Sequence, residues 1–356
     1  MLRRGTKVTS MGFDKRGLPV LVALVAIASG MASGPLSAAC EVPPELTAVR
    51  PDPDGTPTEV TIGGYLIDLQ AINDSEQSFE ADLFLSVTWK DPRLVSDAMP
   101  SSVVGCRLPL ETVWNPRVIF VNERSVARLF DEKVTVSADG TVEYLQRLQG
   151  EFTTPLRLRD FPFDSHELKF EIVSRGYQPE EVTFVPEGGG GNLAELTISD
   201  WEVGAAYPEV KPRYIEPRDW YLASVTFHLP VKRRLGFYLM KTFLPLTLIV
   251  CMSWAVFWIK PGLLPPQIGV ATSAILTLIA FQFSLGYMLP RLSYLTRADR
   301  FLIGSTLLVF LAFGEALWTS FLATYDQEEK ALAIDRRSRI LFPLVFAAVL
   351  LISFVV

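Results

Sequence analysis

The sequence predicts an all-β extracellular sandwich followed by a four-helix transmembrane bundle. Between Cys40 and about residue 230, apolar and polar residues alternate in short runs that Pro, Gly, Asn and Asp interrupt, which is typical of antiparallel strands. Four apolar stretches follow, at roughly 235–259, 268–289, 301–323 and 340–356, and each is long enough, or nearly so, to cross a hydrocarbon layer of about 30 Å. The chain therefore divides into a sandwich domain (40–230) and a helical membrane domain (231–356).

Residues 1–39 have the order of a secretory signal peptide. Basic residues precede an apolar core at 18–28, and Ser37, Ala38 and Ala39 resemble a small-residue cleavage site. The basic residues are Arg3, Arg4, Lys7, Lys15 and Arg16. Cleavage there would make Cys40 the first residue of a mature chain whose sandwich lies outside the membrane. A lipoprotein acylated at Cys40 is the alternative.

The clearest strands of the sandwich carry alternating or β-branched residues. They are predicted at 60–69, 79–89, 134–136, 168–173 and 223–229. Asp139 and Gly140 lie between two strand-like runs and predict a hairpin turn. The glycines at 188–191 predict a flexible surface loop. Cys40 and Cys106 both fall in the oxidising compartment and could form a disulfide, although the sequence leaves their distance open.

The second apolar stretch carries a stripe of small, hydroxyl and larger apolar residues at helical spacing and holds no charged residue at 265–289. The stripe consists of Gly269, Ser273, Leu276, Ala280, Phe283 and Tyr287. Several copies around one axis would enclose a pore, in which a ring of Leu276 side chains would form a constriction that closes by dewetting. The alternative is a helix that packs on its neighbours through small residues.

The motifs, taken in order, resemble those of the pentameric ligand-gated ion channels. The matching segments are WKDPRL (89–94), WNPR (114–117), FPFD (161–164), KRRLGFY (232–238), FLP (243–245) and LPRLSY (289–294). Thr154 and Leu168 stand where animal receptors of this family have a disulfide, so the chain resembles a bacterial member. The resemblance implies a homopentamer in the bacterial inner membrane, in contact with lipid, with the sandwich in the periplasm. A small molecule or protons would act as agonist, and inorganic ions would permeate.

The resemblance also implies a ligand site between adjacent subunits. Aromatic and basic residues fall on the loops that line it: Phe84, Tyr144, Arg175, Tyr177, Tyr207, Tyr214 and Trp220, with Tyr221 beside them. Arg175 occupies a place where many receptors have an aromatic ring, which favours an anionic or zwitterionic ligand over a cationic amine. The alternative for each aromatic residue is packing in the core or on the surface of the sandwich.

Ion selectivity depends on charge at the mouths of the pore. Cation-selective members of the family have a glutamate just before the pore helix, where this chain has Pro265, Pro266 and Gln267. The resemblance to glycine and GABA receptor channels in this segment implies a leaning toward anions.

Gating requires contacts that transmit a movement of the sandwich to the membrane helices. The candidate residues lie on segments that meet at the membrane surface in the family: Asp74, Glu76, Phe163, Asp164, Arg233, Arg291 and Tyr294. We expect an acidic cluster around Arg233, and a contact between the Phe163 ring and the loop bearing Tyr294.

Other functional classes fit less well. The sequence has only two histidines and none of the usual hydrolase, zinc-protease or phosphate-loop motifs, so we expect neither an enzyme nor a dedicated metal or cofactor site. The net charge of −6 disfavours nucleic-acid binding. A periplasmic-sensing membrane receptor without conduction remains the alternative function.

Overall fold

In the computed structural model, an antiparallel sandwich precedes four long helices, and the described residues are 40–96, 99, 102–286 and 292–355. The predicted signal peptide at 1–39, the stripe residue Tyr287 and the coupling residue Arg291 lie outside the described residues.

The strands of the sandwich span most of the chain before residue 234. They are β1 (Thr58–Asn73), β2 (Ser78–Lys90), β3 (Arg107–Pro109), β4 (Val118–Phe120), β5 (Glu123–Arg128), β6 (Lys133–Val136), β7 (Thr141–Thr153), β8 (Ser165–Ser174), β9 (Val182–Gly191), β10 (Trp201–Val203), β11 (Tyr207–Val210), β12 (Arg213–Ile215), β13 (Trp220–Leu222) and β14 (Ser224–Arg233). All five predicted strands are present, and β14 continues past the predicted domain boundary at residue 230.

Two sheets face each other across an apolar core. One has the order β3-β6-β7-β2-β1-β9 with β5 also paired to β7, and the other has the order β10-β14-β8-β4 with β11 also paired to β14. Strands β12 and β13 form a separate hairpin. Phe79, Phe152 and Phe170 meet between the sheets with ring centroids 5.0–5.6 Å apart. Alternation along each strand directs such side chains inward.

The glycines at 188–191 do not form the predicted surface loop. They lie at the end of β9, which pairs in parallel with β1 and places Gly190 opposite Tyr65 and Gly191 opposite Leu66. The prediction was wrong because glycine is rare inside strands, whereas here the neighbouring strand β1 supplies the ladder of hydrogen bonds.

Cys40 and Cys106 form a disulfide, with their Cα atoms 6.2 Å apart. The bond ties the first described residue to the segment just before β3. The pairing that the sequence left open is therefore present.

Four helices are long and apolar enough to cross a membrane. They are the first spanning helix (Gly236–Trp258), the second (Leu264–Leu285), the third (Arg297–Thr324) and the fourth (Glu328–Phe354). The first includes a π-helical segment, Leu239–Phe243, directly before the α-helical segment that contains Pro245. Proline lacks the N–H that would continue the ladder of hydrogen bonds, which explains the local change of winding.

The fourth helix begins earlier than hydropathy predicts, because its first turns are polar. It starts at Glu328, whereas the apolar stretch starts near residue 340. The third helix begins with a capping box, in which Thr296 and Asp299 satisfy each other's backbone N–H groups. The start of the third helix and the end of the fourth lie next to the sandwich, where the backbone N–H of Ala298 donates to the carbonyl of Phe161 and the ring of Phe354 packs on Phe163.

Candidate functional site

The second spanning helix has one buried face and one exposed face. Ala271, Ala274, Leu278 and Leu285 are buried against the other helices of the same chain. The described members of the predicted stripe are all exposed: Gly269, Ser273, Leu276, Ala280 and Phe283. Leu276 and Phe283 leave 62% and 73% of their surface uncovered. An apolar face of this size needs either lipid or further copies of the chain to cover it.

Gln267 does not lie on the exposed face, so its predicted place at the pore mouth is corrected. Its side chain is fully buried, where it accepts a hydrogen bond from the Ser320 hydroxyl (2.7 Å) and donates one to Thr319 (3.3 Å). A buried amide in an apolar bundle must find such partners, and the third helix supplies them. Pro265 and Pro266 remain exposed in the first turn of the second helix.

Arg233 lies at the end of β14 inside a cluster of acidic and aromatic side chains. Its guanidinium donates two hydrogen bonds to Asp164, at 2.9 and 3.0 Å, and one to Asp74 at 2.8 Å. The guanidinium carbon also lies 4.1 Å from the ring centroid of Trp201 and 4.8 Å from that of Phe161. The predicted acidic cluster is therefore present, and the aromatic rings around the cation add a component that the sequence reasoning missed.

The electrostatics of this cluster favour its charged form. Burial tends to raise the pKa of Asp164, but hydrogen bonds from His166 and Arg233 outweigh burial and leave this pKa lowered. Burial tends to lower the pKa of Arg233, but its hydrogen bonds to Asp164 and Asp74 leave this pKa raised. The ion pair is therefore buried and paired at neutral pH, the situation in which removal of one partner costs the most.

The FPFD turn contacts the membrane helices directly. Tyr294 accepts a hydrogen bond from the backbone N–H of Leu158 (3.1 Å), and Arg297 forms an ion pair with Asp160 (2.8 Å). The backbone N–H of Ala298 donates to the carbonyl of Phe161 at 3.2 Å. Sequence reasoning missed the Asp160–Arg297 pair, although opposite charges on two segments expected to meet were an available signal.

Two coupling predictions are corrected by this geometry. The ring of Phe163 packs edge-on against Phe354 at the end of the fourth helix, with centroids 5.6 Å apart, and within the described residues no aromatic contact joins it to Tyr294. Glu76 lies outside the Arg233 cluster and pairs with Arg124 at 3.6 Å. Phe354 is the last residue of the fourth helix, and Glu76 lies in the turn between β1 and β2, where its carboxylate pairs with Arg124 instead of Arg233.

Several predicted ligand residues gather on one face of the sandwich. Tyr177 accepts a hydrogen bond from the indole of Trp114 (2.9 Å), and the guanidinium carbon of Arg117 lies 6.0 Å from the Tyr177 ring centroid. The backbone N–H of Arg175, two residues before Tyr177, donates to the carbonyl of Arg117 at 2.9 Å, so the two arginines lie on adjacent segments of this face. Within the described residues neither side chain forms an ion pair, so this basic face carries uncompensated positive charge.

The β12–β13 hairpin lies next to this basic face. The backbone N–H of Ala223, directly after β13, donates to the carbonyl of Tyr177 at 3.2 Å. On the hairpin, the rings of Tyr214 and Tyr221 lie 5.2 Å apart, and the guanidinium carbon of Arg218 lies 5.5 Å from the Trp220 ring. The hairpin is therefore joined to the Tyr177 segment through the residue that directly follows β13.

Phe84 belongs to a second cluster on the other sheet. It packs against Phe130, with centroids 5.9 Å apart, and beneath Arg147, whose guanidinium pairs with Asp82 at 2.7 Å. Phe84 also lines a surface groove of about 410 Å³. Within the described part of the chain, no hydrogen bond, ion pair or aromatic contact joins this second cluster to the Tyr177 cluster.

Two predicted ligand residues lie outside both the Tyr177 cluster and the Phe84 cluster. Tyr144 is buried in the sandwich core, and its hydroxyl accepts a hydrogen bond from Gln146 at 3.2 Å. Tyr207 stacks on His228 and donates to Glu167 at 2.8 Å, on the outer face of the second sheet. Both corrections have the same cause: a tyrosine in a strand offers no signal for which face its ring will occupy until the pairing register is known.

Residues 47–235 match the family described as the neurotransmitter-gated ion-channel ligand binding domain. The chain belongs to this family. Among its relatives, a proton-gated ion channel of Gloeobacter violaceus is 28% identical over 291 residues, which is 82% of this chain and 80% of that protein. The gamma-aminobutyric acid receptor subunit beta-4 of Gallus gallus is 23% identical over 281 residues, which is 77% of this chain and 57% of that subunit. In this ligand-gated channel family, the ligand-binding sandwich is extracellular, and here four membrane-spanning helices follow it.

Proposed function

We propose that five copies of this chain form an ion channel in the bacterial inner membrane, whose pore is lined by the second spanning helix. The observation that carries the proposal is the exposed stripe of Gly269, Ser273, Leu276, Ala280 and Phe283 on a helix whose opposite face is buried. The other helices of the chain cover only that opposite face. A ring of copies would cover the sides of the exposed face and leave its centre facing an axial passage.

Leu276 is the proposed gate of this passage. It stands near the middle of the helix, 62% exposed, with the smaller Gly269 and Ser273 below it. The Ser273 hydroxyl donates to the Gly269 carbonyl at 2.7 Å, so the hydroxyl is satisfied even without water. A ring of leucines at one level excludes water when it is narrow, whereas the small residues below leave room for hydrated ions.

Anion selectivity is supported by the start of the same helix. The helix begins at Leu264 with no acidic residue in its first turn, and no charged residue occurs in Leu264–Leu285. A helix N-terminus carries a partial positive charge, and five of them would surround the inner mouth. With no carboxylate in this segment to reverse that potential, anions are favoured.

The proposed stimulus acts at the sandwich between adjacent subunits. The Tyr177 cluster, with Arg117 and Arg175, would lie on one side of the interface, and the Phe84 cluster with Arg147 on the other. The guanidinium groups of Arg117 and Arg175, which form no ion pair within the described residues, suit a small anionic or zwitterionic molecule. The name of the proton-gated relative supports protons as the alternative stimulus.

The pore assignment is tested by channel currents from the purified full-length protein in liposomes. Leu276→Thr is expected to produce channels that open at a weaker stimulus or remain partly open, because a hydroxyl ring holds water. Leu311→Thr is the matched control, since Leu311 on the third helix is similarly exposed at 67%. Equal effects of the two substitutions would contradict a pore at the second helix. A folded pentamer that never conducts would favour the non-conducting receptor.

Selectivity and stimulus need separate measurements. In a chloride gradient the reversal potential is expected to follow chloride, and a reversal potential that follows sodium would reject anion selectivity.

A panel of small acids and amino acids, together with pH jumps, identifies the stimulus. If the basic face binds the agonist, Arg175→Ala shifts the half-maximal concentration of an acid agonist, whereas Arg124→Ala does not. An unchanged response in Arg175→Ala would remove the basic face from the site.

A further inference from the structure

An apolar cavity of about 40 Å³ lies between the two sheets of the sandwich, and its lining shares Gly64, Tyr65 and Gly190 with the groove that Phe84 lines. Its buried walls come from both sheets: Leu66, Leu83 and Leu85 on one side, and Phe120, Phe170 and Phe227 on the other. Protein interiors are normally packed as densely as organic crystals, so an interior space of this size is unusual.

The cavity exists because side chains are absent from positions that face the core. On β1 the inward positions are Val60, Ile62, Gly64 and Leu66, so glycine interrupts a row of large apolar residues. Gly189 and Gly190 of β9 also border the cavity, as does Ala206. Four positions of the lining therefore carry no side chain larger than a methyl group.

The backbone does not require glycine at two of these positions. Neither Gly64 nor Gly190 has the left-handed φ that favours glycine. A Cβ atom added at Gly64 would lie 3.9 Å from the Phe227 ring, and one added at Gly190 would lie 3.7 Å from the Tyr65 ring, both ordinary contact distances. An alanine would fit at either position and fill space, so neither conformation nor packing explains the glycines.

The chemistry of the cavity restricts what it can hold. Its lining side chains are apolar except for Tyr65, which stands with exposed Gly190 at the opening and leaves 47% of its own surface uncovered. Water needs two to four polar partners in a buried site, and these walls provide none. The volume exceeds the roughly 10–15 Å³ that one water needs but falls far below the roughly 150 Å³ of a cavity that holds benzene.

We propose that this cavity is a binding site for a small apolar molecule of about two to four heavy atoms, which enters past Tyr65 and Gly190. Such an occupant restores the dispersion contacts that the missing side chains leave unmade. Because the walls belong to both sheets, the occupant contacts the strands β1 and β14 at once.

The site is tested with crystals of the full-length protein under xenon pressure, with cyclopropane as a second probe and benzene as an oversized one. Xenon and cyclopropane are expected in the cavity of every subunit, and benzene is not. Ala206→Val should abolish xenon binding there, whereas Ala127→Val, on the exposed part of β5, should leave it unchanged. Gly64→Ala is a second filling variant in case Ala206→Val fails to fold.

Two results would overturn the proposal. The first is an empty cavity in the wild-type protein while xenon occupies other apolar sites of the same crystal. The second is xenon in the cavity at undiminished occupancy in Ala206→Val or Gly64→Ala. Thermal unfolding of each variant checks that it is folded, and a filling substitution is expected to keep or raise Tm because it adds contacts without strain. None of these measurements depends on channel activity.

Discussion

Arg233→Met should destabilise the protein strongly, because Met removes the cation but keeps most of the apolar stem. The side chain of Arg233 is 3% exposed and that of Asp164 is 1% exposed, so neither charge is solvated by water. The substitution would remove two hydrogen bonds from Asp164 and one from Asp74, and it would leave the Asp164 carboxylate buried without its cation. Breaking a buried pair from one side costs about 3–5 kcal/mol.

The measurement is the thermal unfolding of the full-length protein in detergent at one scan rate. A loss of about 3–5 kcal/mol corresponds to a fall in Tm on the order of 10 °C. Lys133→Met serves as the control, because the Lys133–Asp131 pair is exposed, at 47% and 78% of the two side chains, and its loss should leave Tm almost unchanged.

A double variant separates the buried charge from the lost packing. In Arg233→Met with Asp164→Asn, the more deeply buried carboxylate is neutralised and only Asp74, whose side chain is 16% exposed, is left without its cation, so Tm should recover part of the loss. The reasoning is refuted if Arg233→Met unfolds within the range of the Lys133→Met control. It is also refuted if the double variant loses more stability than the sum of the two single variants.

Three further predictions concern acid stability, the disulfide and the buried amide. The lowered pKa of Asp164 means that its charged form stabilises the fold above about pH 4, and this contribution is lost as pH falls through that lowered pKa. Asp164→Asn should therefore flatten the fall of Tm below about pH 4, and an unchanged slope would show that this carboxylate does not cause the fall. Cys106→Ser should cost up to about 4 kcal/mol, since the disulfide closes a separation of 66 residues, and should abolish the effect of reductant on Tm. Cys251→Ala is the control, and continued sensitivity of Cys106→Ser to reductant would contradict the assignment. Gln267→Leu should lower the free energy of unfolding by about 1–2 kcal/mol, because it removes the hydrogen bonds between the second helix and the third. An unchanged Tm would show that the amide does not stabilise this contact.

The patterns in the sequence predicted the strands and helices, but they did not predict which residues on each element would be buried. Alternation predicts the strands because side chains in a strand point to opposite sides, and apolar length predicts the spanning helices because the membrane has a fixed thickness. The stripe on the second helix follows from helical spacing alone, and its described residues are exposed. Gln267, two residues before Gly269 and on the buried face of the helix, was misplaced because a polar residue at a helix end is expected in water unless its buried partners are known.

The Arg233 cluster shows the same division. The sequence predicted that its charges meet, because their segments lie together at the membrane surface in the family. The rings of Trp201 and Phe161 around the cation could not be predicted, because they depend on how β10 and the FPFD turn pack. Tyr144 and Tyr207 were misplaced because strand register, a long-range property, decides which face a ring occupies.

The sequence by itself determined the order of sandwich and membrane helices, the family motifs and the uncharged second helix, because local periodicity and hydropathy are properties of neighbouring residues. Only the tertiary structure decided that Gln267 is buried, that Phe163 meets Phe354, and that glycines on β1 and β9 leave a space between the sheets. These outcomes depend on contacts between residues far apart in the chain, and no local pattern encodes which distant side chain will fill, or fail to fill, a given volume.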